Sequence, residues 1–153
     1  MKWLKRIFYI LIVALIGIQI IPIAEPTFSS DLSNDFLAQN EMPSEIRIIL
    51  KNACYDCHSL QPELPWYANV APVSWLVKGD ISEGLSELNF SEWESMSKIK
   101  RIQKIESCSE VVESKEMPLP IYATMHSKAK LTDEQRTKFI EWAENFSETI
   151  FEK

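Results

Sequence analysis

Two cysteines and a histidine in one pentapeptide, Cys54-Tyr55-Asp56-Cys57-His58, are the residues of this 153-residue chain best suited to chemistry. Two thiols three positions apart can each bond to one vinyl group of a porphyrin, and a histidine directly after them can ligate the iron from the proximal side. Shuffling the chain's three Cys and two His produces such a pentapeptide once in roughly 2,000 sequences. The spacing therefore predicts one haem c per chain, covalently attached at Cys54 and Cys57 and ligated by His58.

Other kinds of site also use a pair of thiols at this spacing. A redox dithiol of the thioredoxin type needs a βαβ setting, and the sequence shows no such pattern. A structural zinc site needs two further nitrogen or sulfur ligands, and only Cys108 and His126 remain. Cys108 is itself expected to be a buried free thiol, with an intermolecular disulfide as the alternative. Haem c is therefore the favoured interpretation of the pentapeptide.

A second axial ligand for the iron must come from the other histidine or from a methionine. Met117 stands on a loop that Pro118 and Pro120 stiffen, and a stiff loop presents a thioether at a low entropic cost. Ligation by histidine and methionine together raises the reduction potential of haem iron. We therefore predict Met117 as the distal ligand, with His126, Met125 or an open position as the alternatives.

The first residues predict where the chain is placed in the cell. Lys2, Lys5 and Arg6 precede an apolar run of 18 residues, 7–24, which is about the shortest length that spans a bilayer core. The positive-inside rule leaves the N-terminus in the cytoplasm and exports the remainder. We expect 1–24 to be a single-pass inner-membrane anchor with the haem domain in the periplasm. Cleavage as a signal peptide, with release into the periplasm, is the alternative.

The part of the chain that follows the anchor is acidic. The whole chain has 16 Lys and Arg against 22 Asp and Glu, and three of the basic residues lie in 1–24, which leaves 13 against 22 and a formal charge of −9. This balance argues against a protein that binds nucleic acid. It suits transient docking on a basic surface, such as that of a redox partner protein of a respiratory chain.

Helices are the elements expected to position these residues, since no segment shows the strict alternation of a strand. Apolar spacing predicts a helix over 46–53 that leads into the pentapeptide, and a second helix that begins at Pro72 and runs to Leu85. The domain is therefore predicted to be all-α over 43–150. An irregular tether over 25–42 is expected to join it to the anchor.

Two capping-box patterns predict where further helices begin. A Ser-x-x-Glu pattern at 91–94 is expected to open a helical region that runs to Val112, with a break near 107–109. A Thr-x-x-Gln pattern at 132–135 is expected to open the last helix, whose apolar stripe extends to Ile150. Both helices would contribute apolar side chains to the core of the domain.

Four stretches of the chain resemble a small bacterial haem-binding domain family that is similar to cytochrome c. The stretches are CYDCHS at 54–59, PWYANVAPVSW at 65–75, LNFSEW at 88–93 and MPLPIY at 117–122. The resemblance covers about 40–146 and implies a cytochrome c-like helical fold around one haem. It also implies attachment at Cys54 and Cys57 with His58 as the proximal ligand, whereas Cys108 lies outside the pattern.

The second of these stretches contains Trp66 and Tyr67, which are predicted to wall the haem pocket, with plain core packing as the alternative. The expected function is single-electron transfer by a membrane-anchored monohaem cytochrome, without catalysis. A peroxidase-like enzyme is one alternative, but it needs a distal acid or base and only His126 is spare. A haem-based sensor with a displaceable Met117 is the other, and it would need a separate output partner.

Overall fold

A computed structural model describes residues 2–152 of the chain. Within these residues the protein is all-helical, without a β-strand, which confirms the predicted fold class. The α-helices are α1 (Lys2–Gly17), α2 (Phe36–Gln39), α3 (Ser44–Ala53), α4 (Tyr55–His58), α5 (Val73–Glu87), α6 (Lys98–Glu113), α7 (Pro120–Met125) and α8 (Asp133–Glu152). Short 3-10 helices are formed by Ile18–Ile20, Trp66–Asn69, Phe90–Ser95 and Ser127–Ala129.

The two long helices α6 and α8 form an antiparallel pair that carries much of the core. At one end of the pair, Arg136 donates a hydrogen bond to the carbonyl of Val112 at 2.7 Å. At the other end, Lys98 donates to the carbonyl of Phe151 at 2.6 Å. Of this pair, α8 packs on α3, which ends directly before the pentapeptide, so the core holds the predicted site from one side.

The helix starts show which capping prediction was correct. The capping box at 132–135 is confirmed, because its threonine hydroxyl and its glutamine side chain each accept an N–H of the other residue, at 3.1 and 3.0 Å. The pattern at 91–94 is not a capping box, since its serine hydroxyl accepts the N–H of Leu60 instead. Ser97 caps α6, and the helix continues through 107–109 without the predicted break.

An aromatic cluster at the centre of the domain includes a residue from the predicted tether. Phe36 is fully buried and its ring centroid lies 5.3 Å from that of Phe90 and 4.6 Å from that of Trp93. The neighbouring Asp35 is buried as well and accepts a hydrogen bond from the hydroxyl of Tyr55. The later part of 25–42 is therefore not an irregular spacer, because its side chains fill the core beside the pentapeptide.

The N-terminal helix is apolar and lies outside this core. Lys2–Ile20 form 19 continuous helical residues whose length and composition suit a membrane span, and none of them is buried. A signal sequence has the same length and composition. The end of the helix contacts the domain, because the Gln19 amide donates to the carbonyl of Ala71 at 3.1 Å and accepts the N–H of Ala71 at 3.0 Å.

Candidate cofactor site

The pentapeptide forms a single helical turn at the end of α3. Cys54 interrupts the helix with φ −124° and ψ −43°, and α4 follows it directly. The N–H groups of Cys57 and His58 both donate to the carbonyl of Cys54, at 3.1 and 2.9 Å. Both thiols and the imidazole are therefore carried by one short and internally bonded turn.

The His58 ring is held by two carbonyl groups, one in the last turn of α5 and one on Leu88, the residue that follows the helix. Its Nδ1 lies 2.9 Å from the carbonyl oxygen of Gly84 and 3.0 Å from that of Leu88. Because a carbonyl oxygen can only accept, Nδ1 carries the proton and Nε2 keeps its lone pair. Burial lowers the pKa of His58, and the two carbonyls offset part of that shift. The neutral ring with a free Nε2 is the form that ligates a metal.

The sequence prediction missed Gly84, which lets α5 approach the pentapeptide turn. A Cβ atom at this position would lie 2.6 Å from the carbonyl oxygen of Cys57 and 3.1 Å from its carbonyl carbon. A side chain would therefore push α5 away from the ring that Gly84 orients. The sequence did contain a signal for this contact, because Gly84 lies inside a predicted helix. A glycine there lowers helix stability by about 1 kcal/mol relative to alanine, which indicates that close packing requires it.

An apolar cavity of about 240 Å³ brings together three of the predicted residues, Cys54, His58 and Met117. Its remaining apolar walls are Ala53, Leu88, Phe90, Val111, Val112 and Phe139. Phe90 also meets the His58 ring edge to face, with the centroids 6.5 Å apart. One imidazole and one thioether thus share a single apolar space with a thiol of the pentapeptide.

Both backbone groups of Met117 are fixed by hydrogen bonds. Its N–H donates to the carbonyl of Val111 at 2.9 Å, and its carbonyl accepts from the guanidinium of Arg136 at 2.9 Å. The loop is therefore bonded to α6 on one side and to α8 on the other. This anchoring adds to the stiffness that its prolines provide.

The structure places the alternative ligands elsewhere. Met125 is 60% exposed and lines a different depression of about 600 Å³. His126 has both ring nitrogens engaged, because Nε2 lies 2.7 Å from the hydroxyl of Tyr67 and Nδ1 lies 3.0 Å from the carbonyl of Tyr122. Within residues 2–152, neither Met125 nor His126 lines the cavity that contains His58.

The two aromatic residues predicted to wall the pocket do not reach it either. Trp66 is 78% exposed, and Tyr67 contacts His126. In the part of the chain that the structure describes, neither side chain is among the walls of the cavity. Cys57 does not line it either, but its backbone lies against Gly84 on the adjacent turn.

Burial disfavours the charged form of the thiols at the site, because it raises their pKa. Burial raises the pKa of Cys54, and it raises the pKa of Cys57 to about 11. Cys108 lines the same cavity, and burial raises its pKa to about 12. These shifts are opposite to those of a redox dithiol, whose attacking thiol has a lowered pKa. Across residues 2–152, no cluster of three His, Cys, Asp or Glu could hold a metal ion without a cofactor.

A hydrogen bond that the sequence did not predict joins the two sides of the site. The hydroxyl of Tyr122 donates to Oδ2 of Asp56 at 2.6 Å. Asp56 belongs to the pentapeptide, whereas Tyr122 lies in α7, a few residues after Met117. Oδ1 of Asp56 accepts the N–H of Glu63 at 2.8 Å, so the carboxylate also holds the loop after α4. The turn with His58 and the loop with Met117 are thereby tied together.

A family model described as a haem-binding domain matches residues 13–145, which run from the apolar N-terminal helix into α8. No curated protein and no solved structure matches the chain.

Proposed function

This chain belongs to the haem-binding domain family, and from that premise we propose that it is a membrane-anchored, periplasmic monohaem c-type cytochrome that transfers single electrons. The observation that carries the proposal is the apolar cavity shared by Cys54, His58 and Met117. The donors suit a haem, because the apolar walls enclose the thiol of Cys54, a neutral imidazole with a free Nε2 and a thioether. The second thiol for covalent attachment, that of Cys57, lies on the same turn beside the cavity.

Each residue has a distinct role in this proposal. Cys54 and Cys57 hold the porphyrin through thioether bonds, His58 is the proximal ligand and Met117 is the distal ligand. The carbonyls of Gly84 and Leu88 hold the proton on Nδ1 of His58, which fixes the orientation of the ring and makes Nε2 more basic. Haem, when bound, supplies one-electron chemistry at its iron.

Electron transfer is favoured over catalysis because both axial positions are assigned to residues with fixed backbones. A peroxidase-like enzyme needs a labile distal position with an acid or base beside it. The only other histidine in the chain, His126, is bonded through both ring nitrogens away from the cavity. A sensor needs the thioether of Met117 to leave the iron, and the bonds to the Met117 N–H and carbonyl leave only rotation of the side chain for such a displacement.

The placement in the membrane is supported by the apolar helix Lys2–Ile20. Its basic residues precede the apolar run, and this order favours a cytoplasmic N-terminus with the haem domain outside the cytoplasm. The charge of −9 on the part that follows 1–24 supports docking on a basic redox partner of a respiratory chain. Cleavage of the helix as a signal peptide would give a soluble periplasmic form of the same cytochrome.

The attachment test compares three cysteine variants of the full chain, matured in a bacterial periplasm that makes haem c. The wild type is expected to keep one haem per chain through denaturation and acid extraction. Cys54→Ser and Cys57→Ser should each lose stable attachment, whereas Cys108→Ser, the matched control, should keep it. A wild-type haem that is fully extracted by acid would show that the binding is not covalent.

The function test is a redox titration of the purified wild type. A reversible one-electron transition is expected, without peroxide consumption and without carbon monoxide binding to the reduced protein. Peroxide turnover would favour the enzyme, and tight carbon monoxide binding would favour the sensor. Membrane placement is tested separately by washing membranes at high salt and alkaline pH, because a spanning anchor should keep the chain in the pellet.

A further inference from the structure

A long uncharged segment separates the pentapeptide region from the middle of α5. The 14 residues 64–77 carry no charged side chain, although 25% of the whole chain is charged. They form the 3-10 helix Trp66–Asn69 and the first part of α5. Four apolar side chains of this segment are exposed, and we call them the apolar surface: Trp66 at 78%, Val70 at 41%, Val73 at 41% and Leu76 at 56%.

The apolar surface lies beside the end of the N-terminal helix. Gln19, in the last turn of that helix, makes two hydrogen bonds with the backbone of Ala71, which directly follows Val70. Lys78, two residues after Leu76, is paired with Glu25, which follows the helix in the chain. Two hydrogen bonds and one ion pair therefore connect the apolar surface to the N-terminal helix and to the residues that directly follow it.

The length of the helix sets the depth of Ala71 relative to the bilayer. Lys2–Ile20 contain 19 residues, which span about 28 Å at a rise of about 1.5 Å per residue. A bilayer hydrocarbon core is about 30 Å thick. With Lys2 at the cytoplasmic boundary, and with the long side chains of Lys5 and Arg6 reaching back to it, Gln19 lies about 25 Å further along the helix and therefore near the opposite boundary. Ala71 lies at the same depth, because it is bonded to Gln19.

We propose that the apolar surface rests in the headgroup region of the bilayer that the N-terminal helix spans, so that the haem domain is held against the membrane in one orientation. The inference rests on the membrane anchoring proposed above. An exposed tryptophan among small apolar side chains is the composition that favours this interfacial region. Phospholipid covers this apolar patch, which would otherwise face water.

The consequence is a fixed geometry between the membrane and the cofactor. The N-terminal half of α5 carries Val73 and Leu76, and its C-terminal half carries the carbonyl of Gly84 that holds His58. One rigid helix therefore joins the lipid contact to the proximal ligand. The haem domain presents the same side to its redox partners at all times, instead of moving at the end of a flexible tether.

The test places a photoreactive residue, p-benzoylphenylalanine, at single positions of the full chain in vesicles of phosphatidylethanolamine and phosphatidylglycerol. Positions 66 and 76 probe the apolar surface. Position 151 is the matched control, because Phe151 is 73% exposed and apolar but lies at the end of α8, where its carbonyl accepts a hydrogen bond from Lys98 at the start of α6. After irradiation, mass spectrometry counts phospholipid adducts, and we expect several-fold more at 66 and 76 than at 151.

Gln19→Leu tests the connection between the helix and the domain. It keeps the helix apolar and removes both hydrogen bonds to Ala71, so the adducts at position 66 should fall several-fold while the haem content stays the same. Equal adduct yields at 66, 76 and 151, or crosslinks from 66 and 76 to a protein or a second copy of the chain instead of lipid, would overturn the proposal.

The membrane pellet distinguishes the two proposals. If the alkaline wash releases the chain, the membrane anchoring is wrong and the apolar surface cannot lie on that bilayer. If the chain stays in the pellet but position 66 gives no excess of lipid adducts, the anchoring stands and only the lipid contact is wrong.

Discussion

Substituting Gly84 tests whether the approach of α5 to the pentapeptide orients His58. An alanine Cβ at this position would lie 2.6 Å from the carbonyl oxygen of Cys57, about 0.8 Å closer than ordinary contact begins. The obstacle is backbone, which cannot rotate away as a side chain can. Gly84→Ala must therefore displace α5 or the turn, and the 2.9 Å hydrogen bond to His58 Nδ1 moves with it.

The expected magnitude combines two opposite contributions. Alanine is favoured over glycine inside a helix by about 1 kcal/mol. Overpacking of a close contact costs about 1–3 kcal/mol. Gly79→Ala is the matched control on the same helix, because nothing lies within 4 Å of its Cβ position. It should raise the free energy of unfolding by about 1 kcal/mol, and Gly84→Ala should lie about 1–3 kcal/mol below it, since the helix contribution cancels.

The assay has two readouts. Urea unfolding of the haem-free full chain in detergent, followed by circular dichroism, measures the free-energy difference between the two variants. The reduction potential of the haem-loaded variants reports on His58, and it should shift in Gly84→Ala but not in Gly79→Ala. Equal stabilities and equal potentials in the two variants would refute the reasoning that α5 needs a glycine to hold the ring.

Three further predictions concern the other residues of the site. Met117→Ala should lower the reduction potential and change the visible spectrum of the oxidised protein, whereas Met125→Ala, at an exposed methionine outside the cavity, should change neither. Tyr122→Phe removes the hydrogen bond to Asp56 and should lower the free energy of unfolding by about 1–2 kcal/mol in urea titrations; an unchanged value would mean that the bond does not hold α7. Burial raises the pKa of Cys108 to about 12, so at pH 8 the reactive thiolate is scarcer than at the ordinary value of 9.0, and alkylation of the folded protein should be about 1,000-fold slower than after unfolding. Equal rates before and after unfolding would show that this thiol is accessible.

Features that depend on neighbouring residues were predictable from the sequence. The attachment motif needs only five consecutive residues, and its turn forms from hydrogen bonds within those residues. The capping box at 132–135 is a contact across three positions, so it was recognised correctly. The pattern at 91–94 is equally local, but its serine hydroxyl accepts the N–H of Leu60. Leu60 is 31 positions away, so a rule based on neighbouring residues does not predict this hydrogen bond.

Contacts between distant segments required the tertiary structure. The sequence pointed to Met117 through its prolines, but only packing shows that it shares a cavity with His58, 59 positions earlier. The aromatic types of Trp66 and Tyr67 suggested a pocket wall, yet aromatic character does not specify which side of a domain a residue faces. Phe36 lay in a segment without helical periodicity, so nothing local indicated its place in the core.

The sequence by itself determined the chemistry available to this protein, because residue types and short spacings decide which bonds a turn can make. The pentapeptide, the apolar N-terminal helix and the all-α pattern belong to this class. Only the tertiary structure decided how that chemistry is held. The protonated Nδ1 of His58, the space that Gly84 leaves and the bond from Tyr122 to Asp56 each join segments that are more than 20 residues apart.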